Sequence, residues 1–182
     1  HDLFETIGEE MQRLTQLIND LLNFSRYQSG LQKLDLAPCA IDELLERAQL
    51  RFTEQAAHKQ IELIKELELP LPRIQADIAQ LDRVLDNLLH NAVRHTPSGG
   101  RIRLHARRHA ERVIISVEDN GEGIAYGQQG RIFEPFVQVG RKKGGAGLGL
   151  ALCKEIVQLH GGRMGVYSRP GQGTQFYMAL AV

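Results

Sequence analysis

Phe4, Ile7, Met11, Leu14, Ile18 and Leu21 recur at alternating intervals of three and four residues, and this seam constrains the fold more than any other feature of the chain. A period of about 3.5 residues held over roughly three heptads demands a long helix. Leu3, Leu17, Leu22 and Phe24 widen its apolar stripe, and Ser29-Gly30 supplies a stop. Gly8 costs such a helix only about 1 kcal/mol. A single helix cannot bury so wide a stripe alone; packing on its own globular domain is one answer, but a period of 3.5 rather than 3.6 predicts a bundle or a dimer.

From Leu34 the pattern becomes mixed. A short strand over 34–39 leads into a helix over 42–58, with Asp42 as its expected cap and Ile41, Leu44, Leu45, Ala48 and Phe52 on one face. Residues 61–66 alternate as a strand, and Pro70 and Pro72 turn the chain before a strand over 73–76. Asp77 stands where it would cap a second helix over 78–95, whose stripe is Ile78, Leu81, Leu85, Leu88 and Ala92. Strands over 101–109 and 112–118 follow, then a third helix over 148–160 and two closing strands over 163–168 and 175–181 that flank a turn at 171–174. The irregular stretch from Gly123 to Gly145 reads as a lid. The predicted class is α+β: a two-layer α/β sandwich of a mixed sheet with about three helices, preceded by a coiled-coil-like helix. Residues 1–30 and 31–182 form its two expected units.

Lys+Arg and Asp+Glu balance at 22 each, so no global field draws the chain to nucleic acid or to an anionic membrane. The basic run 101–112 alternates with Ile102 and Leu104, as a solvated strand face does. No apolar run approaches the roughly 20 residues of a bilayer-spanning helix, and no signal-peptide pattern opens the chain. A soluble, cytoplasmic portion is expected. Cys39 and Cys153 read as reduced thiols in or near the core, and the scattered histidines predict no zinc.

Four polar signatures remain in a fixed order: Asn87-Leu-Leu-His-Asn91, Asp119-Asn-Gly-Glu-Gly123, Gly145-Ala-Gly-Leu-Gly149 and Gly171-Gln-Gly-Thr174. Each alone has an ordinary reading, as a solvated helix face, an Asp-Asn-Gly turn or a flexible linker. Together they offer what a nucleotide triphosphate needs. Asn87, Asn91, Arg94 and His95 fall within an arc of about 100° on the second helix. Asn91 offers a neutral oxygen to Mg²⁺ and Arg94 a charge to phosphate. Asp119, ending a buried strand, can accept from the exocyclic amine of adenine, while Gly121 and Gly123 clear space for base and sugar. Gly145, Gly147, Leu148 and Gly149 run the lid into a helix N-terminus, where unpaired N–H groups favour phosphate.

These boxes, with Phe133-Glu-Pro-Phe136 and Gly171-Gln-Gly-Thr-Gln-Phe176, resemble the catalytic region of a bacterial sensor histidine kinase. That region belongs to a superfamily shared with type II topoisomerases, Hsp90 chaperones and MutL mismatch-repair proteins. Residues 10–30, with Arg13-Leu14, Leu17-Ile-Asn-Asp-Leu-Leu22 and Ser25-Arg26, resemble the second helix of the dimerisation and phosphotransfer hairpin. The resemblance implies ATP and Mg²⁺ as cofactors. It implies Asn91 as Mg²⁺ ligand, Asn87 towards an incoming histidine, Asp119 on adenine, Gly145, Gly147 and Gly149 moving with the lid, and Thr174 near the base. Arg94 stands where relatives often carry Lys, and His95 where an aromatic often stacks on adenine. Gln138 replaces a frequent basic residue, so Arg141, Lys142 or Lys143 is expected to supply the lid's charge.

The implied activity is transfer of the γ-phosphoryl of Mg·ATP to a histidine, for relay to a response-regulator aspartate, within a homodimer. No nucleic-acid partner is implied, and the membrane enters only through regions outside this chain, with the parent protein anchored in the inner membrane. The acceptor motif, a His and an acidic residue followed shortly by Arg-Thr-Pro, does not occur; His1-Asp2-Leu3 only begins like it. The expectation is therefore a donor domain without its acceptor. The alternatives are an ATP-hydrolysing conformational switch, whose base would be Asp86 or Glu122, and a nucleotide-binding module.

Overall fold

The computed structural model describes residues 2–138 and 147–182. Five strands form the main sheet in the order β2-β4-β5-β7-β6: β2 (Glu62–Leu67), β4 (Arg101–His109), β5 (Arg112–Asp119), β6 (Arg163–Arg169) and β7 (Gly173–Ala181). The β2–β4 pair is parallel and the other three are antiparallel. Helices α2 (Ile41–His58), α3 (Ile78–His95) and α5 (Gly149–Leu159) pack on the sheet, with the one-turn α4 (Tyr126–Gln129) beside β6, giving the expected two-layer α+β sandwich. Strict alternation makes one face of each central strand apolar, so Ile102, Leu104, Val113, Ile115, Val117, Phe176 and Met178 are buried beneath the helices. On the other face Arg103 pairs with Glu66 at 2.7 Å and with Glu118 at 2.6 Å. The first half of the basic run is thus an ion-paired sheet surface.

The short strands β1 (Ala37–Cys39) and β3 (Ile74–Ala76) form a separate two-stranded sheet, Cys39 opposite Ile74. One expectation needs correction: Asp42 does not cap α2. The buried Ile41 already belongs to that helix, Ala40 is the cap residue, and Asp42 sits in the first turn, where its charge suits the helix dipole. Asp77, in contrast, caps α3 by accepting from the Gln80 N–H at 3.2 Å. Both cysteines are buried free thiols, and burial pushes Cys153 up to about 12.

Helix α1 (Leu3–Gln28) carries the seam. Its last turns alone are docked: Phe24 packs with Leu148 and Ala151 at the start of α5, and Tyr27 joins the main core. The Tyr27 hydroxyl also donates to Gln80 Oε1 on α3. From Leu3 to Leu22 the seam faces outward, with Phe4 79% and Leu14 57% exposed. No helix among the described residues is long and apolar enough to cross a membrane.

Candidate nucleotide site

Strand β5 ends at Asp119, which is 6% exposed and stands opposite Thr174 on β7. Its Oδ1 accepts from the Gly121 N–H at 2.9 Å. Burial pushes the carboxyl above its ordinary range, against the opposing pull of the Gly121 N–H, the His95 ring and the Thr174 N–H. A buried acceptor kept costly to ionise is suited to a ligand that brings a donor. Thr174 Oγ1 lies 2.9 Å from Ser168 Oγ. The Ser168 hydroxyl donates to the Gly173 carbonyl at 3.0 Å and accepts from the Ile124 N–H at 2.8 Å. With the Ser168 proton committed, Thr174 donates to Ser168 and keeps its own lone pairs for a ligand.

Asn91 and His95 project from α3 into a pocket that also receives Asp119, Glu122, Thr174 and Phe176. Phe176 is fixed by an edge-to-face contact with Phe133, ring centroids 6.0 Å apart, so the phenylalanine box and the last glycine box meet at this pocket. Glu122 was expected here only as a hydrolytic base. Its Oε1 instead lies 2.8 Å from His95 Nδ1. Asp86, the other base candidate, is 2.8 Å from Arg51 Nε.

The predicted arc on α3 is divided. Asn87 faces away from the pocket, reaching the Gly149 carbonyl at 3.4 Å and lining a groove with Asp20, Asn23, Arg26 and Arg83. Arg94 is exposed and does not line the pocket. Helix α5 packs against α3 and the end of α1 comes beside it, on the side where Asn87 lies, which separates residues that share an edge of the isolated helix. Gly147, Leu148 and Gly149 lead into α5, whose first turn receives no side-chain cap. Leu148 itself is buried, under Phe24. Gly145, Arg141, Lys142 and Lys143 lie outside the described residues, as does His1.

The glycines of the first box are also crowded from within the protein, and Gly123 itself lines the pocket. A Cβ at Gly121 would stand 2.3 Å from the His95 carbonyl oxygen, and one at Gly123 2.2 Å from the Arg169 carbonyl oxygen. What crowds them is the protein's own backbone. At Gly147, with φ +74°, a Cβ would meet the Phe136 carbonyl carbon at 2.8 Å, and the Phe136 N–H donates to the Gly147 carbonyl at 3.0 Å. Phe136, within the expected lid, is thus joined to Gly147, just beyond it.

Residues 76–182 match the family model of the histidine kinase-, DNA gyrase B- and HSP90-like ATPases. The chain is 64% identical over 181 residues to the alginate biosynthesis sensor protein KinB of Pseudomonas aeruginosa, covering 100% of this chain and 30% of that protein. It is 39% identical to the sensor protein DivL of Caulobacter vibrioides, over 90% of this chain and 21% of that one. Among solved structures, full-length ShkA in complex with AMPPNP superposes with a TM-score of 0.88 at 37% identity, over 97% of this chain and 37% of ShkA. Histidine kinase ThkA in complex with the response regulator TrrA gives 0.79 at 25% identity, over 97% of this chain and 49% of that one. The chain thus spans under a third of the length of either curated relative.

Proposed function

The chain belongs to the histidine kinase-, DNA gyrase B- and HSP90-like ATPase family, among the sensor histidine kinases, and on that premise we propose that its pocket binds Mg·ATP for phosphoryl transfer to a protein histidine. The observation that carries this reading is the convergence of a buried carboxylate, Asp119, with Asn91, His95 and Thr174 in one pocket. Asp119 accepts from the adenine amine, Thr174 supports the same edge, and the uncapped start of α5 faces the phosphates.

Mg²⁺ fits a neutral amide oxygen that leaves its other positions to phosphate and water, and Asn91 lines the pocket with one. When bound the cation would offset charge on the transferring phosphoryl group.

The wider assignments follow from this. The phosphoryl passes to a histidine and then to a response-regulator aspartate. Two copies pair through the exposed seam of α1 in the intact protein, which is held at the bacterial inner membrane by regions outside this chain. Gly147 and Gly149 move with the lid on nucleotide exchange. The hydrolytic-switch reading gains no support, because Asp86 is engaged by Arg51 and Glu122 by His95.

Calorimetric titration with Mg·ATP, followed by phosphorylation of an added acceptor hairpin, tests the proposal. Asn91→Ala is expected to abolish Mg²⁺-dependent phosphorylation while the chain stays folded. Wild-type phosphorylation by that variant would sink the metal assignment.

A further inference from the structure

We propose that Glu122 is a positioning residue of the nucleotide site, acting through His95, and that the crowded Gly121-Glu122-Gly123 turn is built to hold it there. The inference rests on the reading of the pocket as a nucleotide site. It adds a role for a side chain that the sequence offered only as a base.

The backbone of Glu122 is pinned on both sides. Its N–H donates to the His95 carbonyl at 3.4 Å, and its carbonyl accepts from the Gly171 N–H at 2.7 Å. On either side a glycine is required, because a Cβ at 121 would strike the His95 carbonyl oxygen and one at 123 the Arg169 carbonyl oxygen. The turn is thus wedged between the end of α3 and the β6–β7 hairpin. Such a wedge leaves the Glu122 side chain little choice of origin.

From that origin Oε1 reaches His95 Nδ1 at 2.8 Å. The imidazole is 14% exposed and the carboxylate 35%. A carboxylate can only accept, so Nδ1 carries the proton and Nε2 is the nitrogen left for other partners. Without this contact the last torsion of a histidine is broad and roughly two-fold, and the ring presents either nitrogen. With it, one ring face and one nitrogen keep a fixed direction in the pocket that also holds Asn91, Asp119 and Thr174. A ring fixed before the ligand arrives spares the ordering cost of binding.

A plain clasp between loop and helix end would show the same hydrogen bond, so the test must separate nucleotide affinity from fold stability. In the 182-residue chain, affinity for Mg·AMPPNP is measured by calorimetry beside thermal melts. Glu122→Ala is expected to weaken binding about tenfold, whereas Glu122→Gln, whose Oε1 still accepts from Nδ1–H, stays within about threefold of wild type. His95→Ala and the double variant should lose no more than the larger single effect, since Glu122 acts through His95. Imidazole ¹⁵N shifts should place the proton on Nδ1 in the wild type and redistribute it in Glu122→Ala.

Wild-type affinity in Glu122→Ala, or equal losses in the Ala and Gln variants, would overturn the inference while leaving the site assignment intact. A wild-type chain that binds no nucleotide would overturn the site assignment itself and this inference with it.

Discussion

Thr174 stands directly across the β5–β7 ladder from Asp119, and both are buried, so the two sheet strands themselves set the distance between the carboxylate and the hydroxyl that flank it. A site residue on a loop would be placed by that loop's own conformation. Here the same hydrogen bonds that close the sheet also hold the site.

That placement has a cost in the ligand-free chain, which the pH dependence should expose. Burial holds the Asp119 carboxyl above its unfolded value. Between the two values the native state binds more protons, so stability falls as pH rises, beginning at about pH 4 and levelling once the native carboxyl has ionised. Asp119→Asn removes the charge. Its melting temperature near neutral pH should equal or exceed that of wild type, while affinity for ATP falls about tenfold or more. Melts across pH with and without nucleotide check both halves.

Gly173 separates crowding from backbone conformation. A Cβ there would lie 2.0 Å from the Asp119 carbonyl oxygen, at φ +118°. At Gly171, two residues earlier, φ is +78° but the space around the missing Cβ is open. Gly171→Ala should therefore cost about 1 kcal/mol, the price of the left-handed backbone alone. Gly173→Ala should cost about 3 kcal/mol or more, because β7 must also move away from β5. Chemical denaturation of the two variants in parallel reads the difference, and similar losses would refute the crowding argument.

The amphipathic helices were legible because burial on one face leaves a 3.6-residue period: α3 was expected over 78–95 and is found at Ile78–His95. Asp119 was legible as a carboxylate closing an apolar strand. What the pattern could not carry was pairing at long range. The β1–β3 ribbon looks like any two short strands until the chain chooses their partners. Ser168 gains its part only through the register that sets it beside Thr174. Asn87 and Asn91 share an arc on α3, but α5 and α1 cover one side of it and leave the other to the pocket. The Gly-Glu-Gly string suggested space for a ligand, and Gly123 does line the pocket, but the approach of other backbone to both glycines lay outside the pattern.

The seam of α1 supplies the last prediction. Phe24 and Tyr27 fasten the end of the helix to α5 and α3, so the helix does not fold its apolar stripe back over the domain. Met11 remains 64% exposed, Ile18 48% and Leu21 45%. A stripe of this length and heptad spacing is covered when two helices meet along it, each apolar side chain entering a hole in the facing helix. Sedimentation velocity on the wild-type chain should then show concentration-dependent self-association, and Leu14→Glu combined with Leu21→Glu should abolish it by setting charges within the seam. Neither residue lines the nucleotide pocket, so affinity for Mg·ATP should remain within about twofold of wild type. A wild-type chain that stays monomeric up to about 100 μM would show that the seam does not pair two copies of this chain on its own.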